Sequence, residues 1–435
     1  MGCAPVTSGG YFAPPGTLPH TDRSMKTAGF WISRHPSPDK IILSPQEIVA
    51  FNQNVQNRLG LTKNLAKWPV LLSGKDIKPL IKANILEMKE GGYLLENGRP
   101  ADEDFFAGII KNINLDAMPE TITRQFGIVA HYADQRFLPT KESLYEKPDD
   151  PDFDYLQNST LDVGVPVVVV HKSTDQQWYY AESSASAGWV EADKITLVDE
   201  DQAMEFMDPK SFIVVTDPKA DIFADEEMTR YYDYVLMGVR LPLVRATKSV
   251  YEVQLPLRGT GGKWQKGYVP VDQAHEGYLA YTPRVVLTQA FKLLNTPYGW
   301  GGMYGEQDCS RFVQEVFAVV GIELPRDSKN QAKAGLTPAS FAAETTDEGK
   351  LSAISKNAVG GITLLNLKGH IMLFVGDYES RLYGIHAIWA YRLPGKGQDS
   401  VYVLNRVALS DLSLGEGSKR GSLLKRLQSV SLIQK

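Results

Sequence analysis

The chain has 435 residues, of which 43% are apolar, and a formal net charge of −5 at pH 7. This length predicts two to four globular domains, and the weak negative charge excludes a broad basic surface for nucleic acid or an anionic membrane. Only two cysteines occur, Cys3 and Cys309, which excludes a disulfide framework. The longest apolar run, near residues 163–170, is interrupted by Pro166 and is far shorter than the roughly 18 residues of a membrane span.

The first 40 residues are predicted to form an extended arm. They begin with Met1, Gly2 and Cys3 and continue with small, flexible residues. A Gly-Cys pair before such a linker resembles the first residues of a mature bacterial lipoprotein to which a start codon has been added. A lipid anchor at Cys3 is therefore one hypothesis, and an unmodified terminus with a spare thiol is the other. Mass spectrometry of the native protein separates them.

Residues 41–120 are predicted to form a helical domain. Ser44 and Glu47 stand three positions apart with Pro45 between them, which is the capping-box pattern of a helix start. Ile48 continues the apolar face of that helix. A second helix is predicted between residues 73 and 90, and no chemistry is predicted for this segment. The apolar face of this helix is expected to contain Ile77, Leu80, Ile81 and Ile85.

From residue 121 onward the pattern changes to short β-strands separated by turns. It predicts two small β-barrels, at residues 121–200 and 201–281. The run Gly164–Val169 is echoed by Gly238–Val244, which indicates a weak internal repeat. Most aromatic residues here are expected in the barrel cores, and which of the others face a functional site stays open.

Residues 282–435 begin with a helix that ends near Asn295 and leads into the glycine-rich loop Tyr298–Gly302. Apolar residues at intervals of three and four positions after Cys309 predict a further helix with that cysteine in its first turn and Gly321 as its left-handed C-terminal cap. Unpaired amide groups and the positive end of the helix dipole at this place are expected to lower the pKa of the thiol. The thiolate is the nucleophilic form of cysteine.

Two histidines lie on neighbouring predicted strands that form a hairpin. His370 begins one strand, and His386 lies in the next. With the turn centred on Tyr378, the two histidines lie directly opposite each other on one face of the sheet. A slip of one residue would put them on opposite faces.

A cysteine on an apolar helix face is usually a small buried hydrophobe. Here a glycine-rich approach, a helix-tip position and a two-histidine hairpin occur together, which favours a nucleophile with its base. The stretch resembles the NlpC-type bacterial cell-wall cysteine peptidases. The resemblance is carried by five motifs: Thr296–Gly302, Asp308-Cys309-Ser310, Leu324–Ser328, Gly369-His370 and Ile385–Ala387.

The resemblance implies a papain-like fold and a triad of Cys309, His370 and a third polar residue, His386. The region before residue 282 is similar to the helical domain and paired bacterial SH3-like domains of some relatives. The expected fold class is therefore multi-domain α+β, with a helical N-terminal domain, two small SH3-like β-barrels and a C-terminal papain-like α+β peptidase domain. Arg311 stands where many members have glycine, and the hairpin loop before His386 is longer than usual.

In the expected mechanism His370 takes the proton of Cys309, and the thiolate attacks an amide carbonyl. His386 holds His370 in the required tautomer. The backbone N–H of Cys309 and, as the resemblance also implies, the hydroxyl of Tyr298 stabilise the oxyanion. No metal or other cofactor is expected, since none of the seven histidines has a paired metal-ligand spacing.

Asp308 is a carboxylate beside the proposed nucleophile, and its charge should raise the pKa of the thiol. It either caps the helix or receives a cationic group of the substrate. The resemblance implies that Asp308 and Ser310 bind the free amino end of an L-alanyl-γ-D-glutamyl stem peptide.

The resemblance thus implies a γ-D-glutamyl-L-diamino-acid endopeptidase that acts on peptidoglycan stem peptides with a free N-terminal L-alanine, in the bacterial cell envelope, in the periplasm. Two alternatives stay open. The chain is a cell-wall binding or adaptor protein whose papain-like domain has no peptidase activity, or the same residues serve an amidase or acyltransferase.

Overall fold

The computed structural model describes residues 11–12, 18–148, 150–259 and 261–434. The chain divides into two compact units. The first contains the described residues up to Asn54 together with Ala280–Tyr298 and those from Glu306 onward, and the second contains Val55–Leu279 and Gly299–Gly305. Among the described residues no helix is both long and apolar enough to cross a lipid bilayer.

Two parts of the sequence interpretation are not tested by the fold. Cys3, the site of the hypothetical lipid anchor, lies outside the described residues. The five predicted segments, with boundaries after residues 40, 120, 200 and 281, stay a prediction.

The N-terminal part of the first unit contains a short strand and two helices, β1 (Tyr11–Phe12), α1 (Ala28–Ile32) and α2 (Pro45–Gln53). Ser44 caps α2 as predicted, because its hydroxyl accepts from the Glu47 amide at 3.4 Å and the Glu47 carboxylate accepts from the Ser44 amide at 2.9 Å. Near the C-terminal end of α2, the side-chain amide of Asn52 donates to the carbonyl of Gly321 at 2.8 Å. This bond ties α2 to the C-terminal part of the same unit.

The second unit begins with a helical segment closed by a two-stranded sheet. Its elements are β2 (Leu71–Ser73), α3 (Gly74–Glu90), α4 (Glu103–Ile113) and β3 (Thr121–Thr123). Ile77, Ile81 and Ile85 form the buried face of α3, and Pro79 lies inside its first two turns. Leu80, predicted on the same face, is 49% exposed.

Two seven-stranded antiparallel sheets follow, with α5 (Glu200–Met207) between them. The first sheet consists of β4 (Gln125–Val129), β5 (Ala133–Arg136), β6 (Gln157–Leu161), β7 (Pro166–Lys172), β8 (Trp178–Glu182), β9 (Ala187–Glu191) and β10 (Ile195–Val198). The second consists of β11 (Phe212–Val215), β12 (Lys219–Phe223), β13 (Tyr231–Leu236), β14 (Arg240–Ala246), β15 (Val250–Pro256), β16 (Trp264–Pro270) and β17 (Ala274–Glu276).

The weak internal repeat has a structural counterpart in the strand order. The first sheet runs β10-β4-β7-β8-β9-β5-β6, and the second runs β13-β12-β16-β15-β14-β11-β17. When each set is numbered from its own first strand, the second order is the first one reversed, so the two sheets share one topology. Trp189 and Tyr180 are fully buried in the first sheet, as expected of core aromatics.

The C-terminal part of the first unit is a seven-stranded sheet with five helices. The helices are α6 (Pro283–Lys292), α7 (Cys309–Ala318), α8 (Ser328–Ala334), α9 (Asp347–Asn357) and α10 (Leu423–Arg426). The strands are β18 (Leu336–Ser340), β19 (Thr363–Leu367), β20 (His370–Tyr378), β21 (Arg381–Leu393), β22 (Ser400–Asp411) and β23 (Leu427–Leu432), in the order β1-β22-β21-β20-β19-β23-β18.

Helix α7 packs against β20 and β21 with its apolar face, on which Phe312 and Val316 are completely buried. This is the face that the apolar spacing predicted. Gly321 follows in the left-handed region, with φ of 85°, as predicted for the end of this helix. The packing brings the helix that begins at Cys309 onto the two strands that carry His370 and His386.

The predicted register of the β20–β21 hairpin is wrong in its turn. Tyr378 pairs with Arg381, so the turn consists of Glu379 and Ser380, both with left-handed φ of 48° and 60°. That turn alone would put the two histidines on opposite faces. A bulge between Phe374 and Gly376 then changes the pairing by one residue, so that Leu373 pairs with Ile385.

If this register continues by one more pair, His386 lies opposite Met372. Met372 is two residues from His370, so its side chain lies on the same face of the sheet as that of His370. The histidines are therefore diagonal rather than directly opposed neighbours.

Candidate active site

The first turn of α7 holds the candidate nucleophile and its capping residue. Asp308 is the N-cap, and its Oδ1 accepts from the backbone amides of Ser310 at 3.0 Å and Arg311 at 2.8 Å. The carboxylate therefore accepts from the second and third amides of α7, but not from the first, which is that of Cys309. The side chain of Cys309 is 9% exposed.

The two histidines are hydrogen-bonded to each other and to a serine. His370 Nε2 lies 2.6 Å from His386 Nδ1, and His386 Nε2 lies 3.1 Å from the hydroxyl of Ser410. His386 and Ser410 are completely buried, whereas His370 is half-buried. If His386 donates from Nε2 to Ser410, its Nδ1 must accept from His370 Nε2. The lone pair of His370 then lies on Nδ1, where it can accept a proton.

Ser410 is a member of this network that the sequence interpretation missed. It lies on β22, where Ala408 pairs with His386, so Ser410 is a diagonal neighbour of that histidine. Only the pairing of β21 with β22 could have revealed it, because no motif surrounds the serine.

Cys309 lies beside the start of the strand that carries His370. The backbone N–H of Ile371, the next residue after that histidine, acts to lower the pKa of the Cys309 thiol, against the larger effect of burial. Tyr298 belongs to the same surroundings, since burial first, and then the charges of Cys309 and Asp308, raise the pKa of its hydroxyl. Its backbone is fixed by a hydrogen bond from its amide to the carbonyl of Asn405 at 3.1 Å.

The expectation of a low thiol pKa is wrong. Burial, reinforced by the negative charge of Asp308, raises the pKa of Cys309 to about 12. The helix start does not offset this, because Asp308 already accepts two of the amides that would stabilise a thiolate. The expected effect of Asp308 on the thiol is confirmed.

Both imidazoles are neutral at pH 7. Burial lowers the pKa of His370 to about 3, and the guanidinium groups of Arg426 and Arg420 add to the effect. Burial also lowers the pKa of His386 well below its ordinary value, with a further contribution from His370. The resting site is thus a neutral thiol beside neutral imidazoles, which requires proton transfer to accompany attack on the substrate.

Asp308 forms a bidentate ion pair with Arg326, a residue of the Leu324–Ser328 motif to which the sequence interpretation assigned no role. Arg326 Nη1 and Nη2 donate to Asp308 Oδ1 and Oδ2 at 3.1 and 2.6 Å, and Nη1 also donates to the Ser310 hydroxyl at 2.9 Å. Burial opposes ionisation of Asp308, but the Arg326 charge and these hydrogen bonds hold its pKa below the usual range. Because Asp308 also accepts from two amides of the first turn, it caps α7, which is one of the two roles expected for it.

Arg311, the departure from the family pattern, forms a buried ion pair along α7. Its Nε donates to Glu315 Oε1 at 2.7 Å, one helical turn away, and both side chains are almost completely buried. The long side chain is thus held within the helix packing.

The glycines of the loop after Tyr298 allow a close approach of its backbone to β6. Gly301 and Gly302 have left-handed φ of 60° and 92°, and a Cβ on Gly302 would lie 2.6 Å from the hydroxyl of Thr160 on β6. Within the described ranges, no group of three or more His, Cys, Asp or Glu side chains is arranged to hold a metal ion.

A cysteine at the start of a helix that packs on the strands of two hydrogen-bonded histidines is a candidate nucleophile close to a candidate base. Residues 295–379 match the model of the NlpC/P60 family, and residues 143–191 match an SH3 domain of the SH3b1 type. The chain therefore contains an NlpC/P60 domain and an SH3b domain. Cys309 and His370 fall inside the NlpC/P60 match, and His386 lies beyond its end.

Two curated relatives share parts of the chain, and both are named γ-D-glutamyl-L-lysine dipeptidyl-peptidase. The protein from Bacillus subtilis (strain 168) is 35% identical over 96 residues, which are 22% of this chain and 30% of the relative. The one from Bacillus cereus (strain ATCC 10987 / NRS 248) is 27% identical over 158 residues, which are 34% of this chain and 44% of the relative. The chain thus matches less than half the length of either relative.

Solved structures share the fold over a longer stretch. An NlpC/P60 endopeptidase from Photobacterium damselae subsp. piscicida has a TM-score of 0.75 at 22% identity, with 93% of this chain and 96% of that one covered. An NlpC/P60 family protein from Bacillus cereus ATCC 10987 has a TM-score of 0.50 at 17% identity, with 71% and 100% covered. At these identities the likeness is one of fold.

Proposed function

We propose that this protein is a cysteine peptidase that hydrolyses the γ-D-glutamyl-L-diamino acid bond of peptidoglycan stem peptides. The observation that carries the proposal is the hydrogen-bonded series from His370 through His386 to Ser410, next to a cysteine at a helix start. The names of the two curated relatives support the bond, and the NlpC/P60 match supports the chemistry.

The catalytic sequence begins from neutral groups. His370 Nδ1 accepts the proton of Cys309 as the sulfur attacks the γ-carbonyl carbon of D-glutamate, and the carbonyl oxygen becomes an oxyanion. The unused amide of Cys309 and the hydroxyl of Tyr298 donate to that oxygen. His370 then gives the proton to the leaving amine, and a thioester remains on Cys309. Water, deprotonated by His370, hydrolyses the thioester and regenerates the thiol.

His386 is a positioning residue in this mechanism. When His370 accepts the proton it becomes a cation, and its Nε2–H is already directed at His386 Nδ1. The buried Ser410 fixes the other nitrogen of His386, so that this acceptor is always available.

Recognition of the stem peptide's amino end by Asp308 and Ser310 fits the hydrogen bonds that remain open. Asp308 Oδ1 accepts four donors, from Ser310, Arg311 and Arg326, whereas among the described residues Oδ2 accepts one, from Arg326. An ammonium group has three donors and can bind Oδ2 and the Ser310 oxygen. Stems with a free N-terminal L-alanine are therefore the proposed substrates.

We propose the domain arrangement expected from the sequence, with both seven-stranded sheets as SH3-like domains. The family match covers part of the first sheet, and the shared strand order extends the assignment to the second. A stem-peptide substrate implies action in the bacterial cell envelope, in the periplasm, and the lipid anchor at Cys3 stays a hypothesis.

Cleavage of synthetic L-Ala-γ-D-Glu-L-Lys by the full chain tests the function. We expect L-Ala-D-Glu and lysine as products from the wild type and no products from Cys309→Ala. Asp308→Asn should reduce cleavage of this peptide far more than cleavage of its N-acetylated form. An active Cys309→Ala variant would contradict the peptidase assignment, and equal losses on both peptides would contradict amine recognition by Asp308.

A further inference from the structure

Two arginines near His370 are unpaired cations among the described residues. Arg420 is exposed and Arg426 is half-buried on α10. Across the part of the chain that the structure describes, neither guanidinium has an ion pair or a hydrogen bond with a carboxylate. Burial, and then the charge of Arg420, lowers the pKa of Arg426 to about 10. Two adjacent like charges, one of them partly desolvated, are costly unless an anion joins them.

The sheet register fixes how Arg426 stands to the candidate base. Leu427 pairs with Leu367 on β19, and Leu367 pairs with His370 on β20. Since neighbouring strands lie about 5 Å apart, the backbone of Leu427 is about 10 Å from that of His370. Arg426 directly precedes Leu427, so its backbone lies two strands away from that of His370. The charges of Arg426 and Arg420 both act on His370, after burial, to lower its pKa.

The backbone that carries Arg426 is held in place by a buried lysine. Lys350 is 4% exposed, and its Nζ donates to the carbonyls of Leu424, Lys425 and Leu427 at 3.4, 2.7 and 3.1 Å. These three carbonyls bracket Arg426 on both sides. The arginine therefore projects from a rigid junction between α10 and β23, which reduces the entropy lost when it binds a ligand.

The role of His370 as a proton donor indicates which part of the substrate lies near these cations. This histidine gives its proton to the leaving amine, so the leaving nitrogen must come within hydrogen-bond reach of it. That nitrogen belongs to the diamino acid, whose α-carboxylate is two bonds away. A carboxylate on the leaving residue is thus brought close to His370, the histidine on which the charges of both arginines act.

We propose that Arg420 and Arg426 bind a free carboxylate of the diamino acid on the leaving side of the scissile bond. The inference rests on the proposed function and adds a substrate requirement to it. Two carboxylates offer this chemistry, the α-carboxylate of a tripeptide stem and the second carboxylate of diaminopimelate. Guanidinium groups bind a carboxylate through paired hydrogen bonds. Both arginines lie outside the stretch that matches the family model.

Binding of that carboxylate also prepares the base. A histidine with a pKa of about 3 is a weak base at neutral pH, and the two arginine charges contribute to this. A bound carboxylate neutralises part of that charge and raises the pKa of His370. The substrate thereby strengthens the base that acts on it, and a substrate without the carboxylate is handled more slowly.

Four peptides with a free N-terminal L-alanine separate the two carboxylates: L-Ala-γ-D-Glu-L-Lys, its C-terminal amide, the meso-diaminopimelate analogue, and that analogue with only its α-carboxyl amidated. The proteins are the full-length wild type, Arg420→Gln, Arg426→Gln, the charge-keeping Arg426→Lys, and Lys425→Gln. Lys425 is the matched control, because it is an exposed cation next to Arg426. Thermal unfolding of each variant reports its folding.

We expect the wild type to cleave carboxylate peptides about 10- to 100-fold faster in kcat/KM than the lysine amide, the range of a charged hydrogen bond. Arg420→Gln and Arg426→Gln should remove that preference by slowing cleavage of the carboxylate peptides far more than cleavage of the amide. Arg426→Lys should restore part of it, and Lys425→Gln should retain all of it. If only the diaminopimelate peptides are favoured, the second carboxylate is the ligand. If L-Ala-γ-D-Glu-L-Lys is cleaved faster than its C-terminal amide, the α-carboxylate is the ligand.

The pH profile gives a readout that general destabilisation would not move. Cations lower the pKa of His370, so removing Arg426 raises it, and the acidic limb of kcat/KM on the amide peptide should move to higher pH. Equal kcat/KM of the wild type on all four peptides, or equal losses on all four in the arginine variants, would overturn the carboxylate site and leave the peptidase proposal intact. No cleavage of any peptide by the wild type would overturn both.

Discussion

At the scale of single residues, the site is a series of buried neutral groups whose proton positions are fixed by their partners. His386 has one hydrogen-bond partner on each nitrogen, His370 at 2.6 Å and Ser410 at 3.1 Å. Because Ser410 is the far end of the series, it decides which nitrogen of His386 carries the proton. The thiol of Cys309, with its pKa raised by burial to about 12, depends on a correctly oriented base.

Removal of Ser410 tests this dependence. In Ser410→Ala, His386 Nε2 loses its acceptor, the proton can move to Nδ1, and His370 must then carry its own proton on Nδ1, where it cannot accept one from Cys309. We expect kcat to fall about 10- to 100-fold, part of the roughly 10²- to 10⁴-fold that a general base supplies. Nitrogen NMR of the imidazoles should show the tautomer change.

Ser431→Ala is the control for this variant. Ser431 is also completely buried, and its hydroxyl donates to the carbonyl of Ala332 at 2.8 Å, away from the histidines. It should lose similar stability and keep its kcat. An equal fall of kcat in both variants would show that Ser410 acts through the fold alone.

The same residues show what could be predicted at this scale. Motif spacing was sufficient to select Cys309, His370 and His386, which the structure brings to neighbouring elements. The direction of the thiol pKa was not predictable, because helix position argues for a lower value, and burial and Asp308 decide the outcome. Arg326 was visible within a motif, but its role depends on an ion pair across 18 positions of sequence.

At the scale of elements, the hairpin of β20 and β21 shows why the correct pair of histidines followed from an incorrect register. The turn is centred about one and a half positions later than predicted, which changes the register by three residues, and a bulge between the turn and His370 changes it by one. Two odd shifts preserve the face on which each side chain lies. Bulges leave little trace in a single sequence, so the face was predictable only by assuming regular pairing.

The junction of α10 and β23 depends on Lys350, which carries a prediction at this scale. Lys350→Met keeps the packing of the stem and removes the donor to three backbone carbonyls. We expect a loss of about 1–3 kcal/mol in the free energy of unfolding, the cost of leaving buried acceptors unpaired. Urea unfolding measures this value.

Lys356→Met, a substitution on the same helix, is the control for that measurement. Lys356 is in the last turn of α9 and makes no side-chain contact with the three carbonyls. The two variants should differ clearly in their unfolding midpoints. Equal midpoints would show that the carbonyls find other partners and that the junction does not need Lys350.

At the scale of the whole molecule, the change from helical to β pattern near residue 121 was readable because helices and strands have different apolar periods. The repeat of the two seven-stranded sheets was weak in sequence and clear in strand order, since topology persists where side chains differ. A structural likeness over 93% of the chain at 22% identity follows the same rule. The packing of α2 onto the C-terminal part of the chain, through Asn52, had no local signal.

The identity of the covalent intermediate tests the central claim most directly. The full-length protein is mixed with L-Ala-γ-D-Glu-L-Lys, quenched in acid within one turnover, digested and analysed by mass spectrometry. The account predicts an L-alanyl-D-glutamyl group joined as a thioester to Cys309, and no such group in Cys309→Ala. Product formation with Cys309 unmodified at every time, or an adduct that contains the lysine, would contradict it.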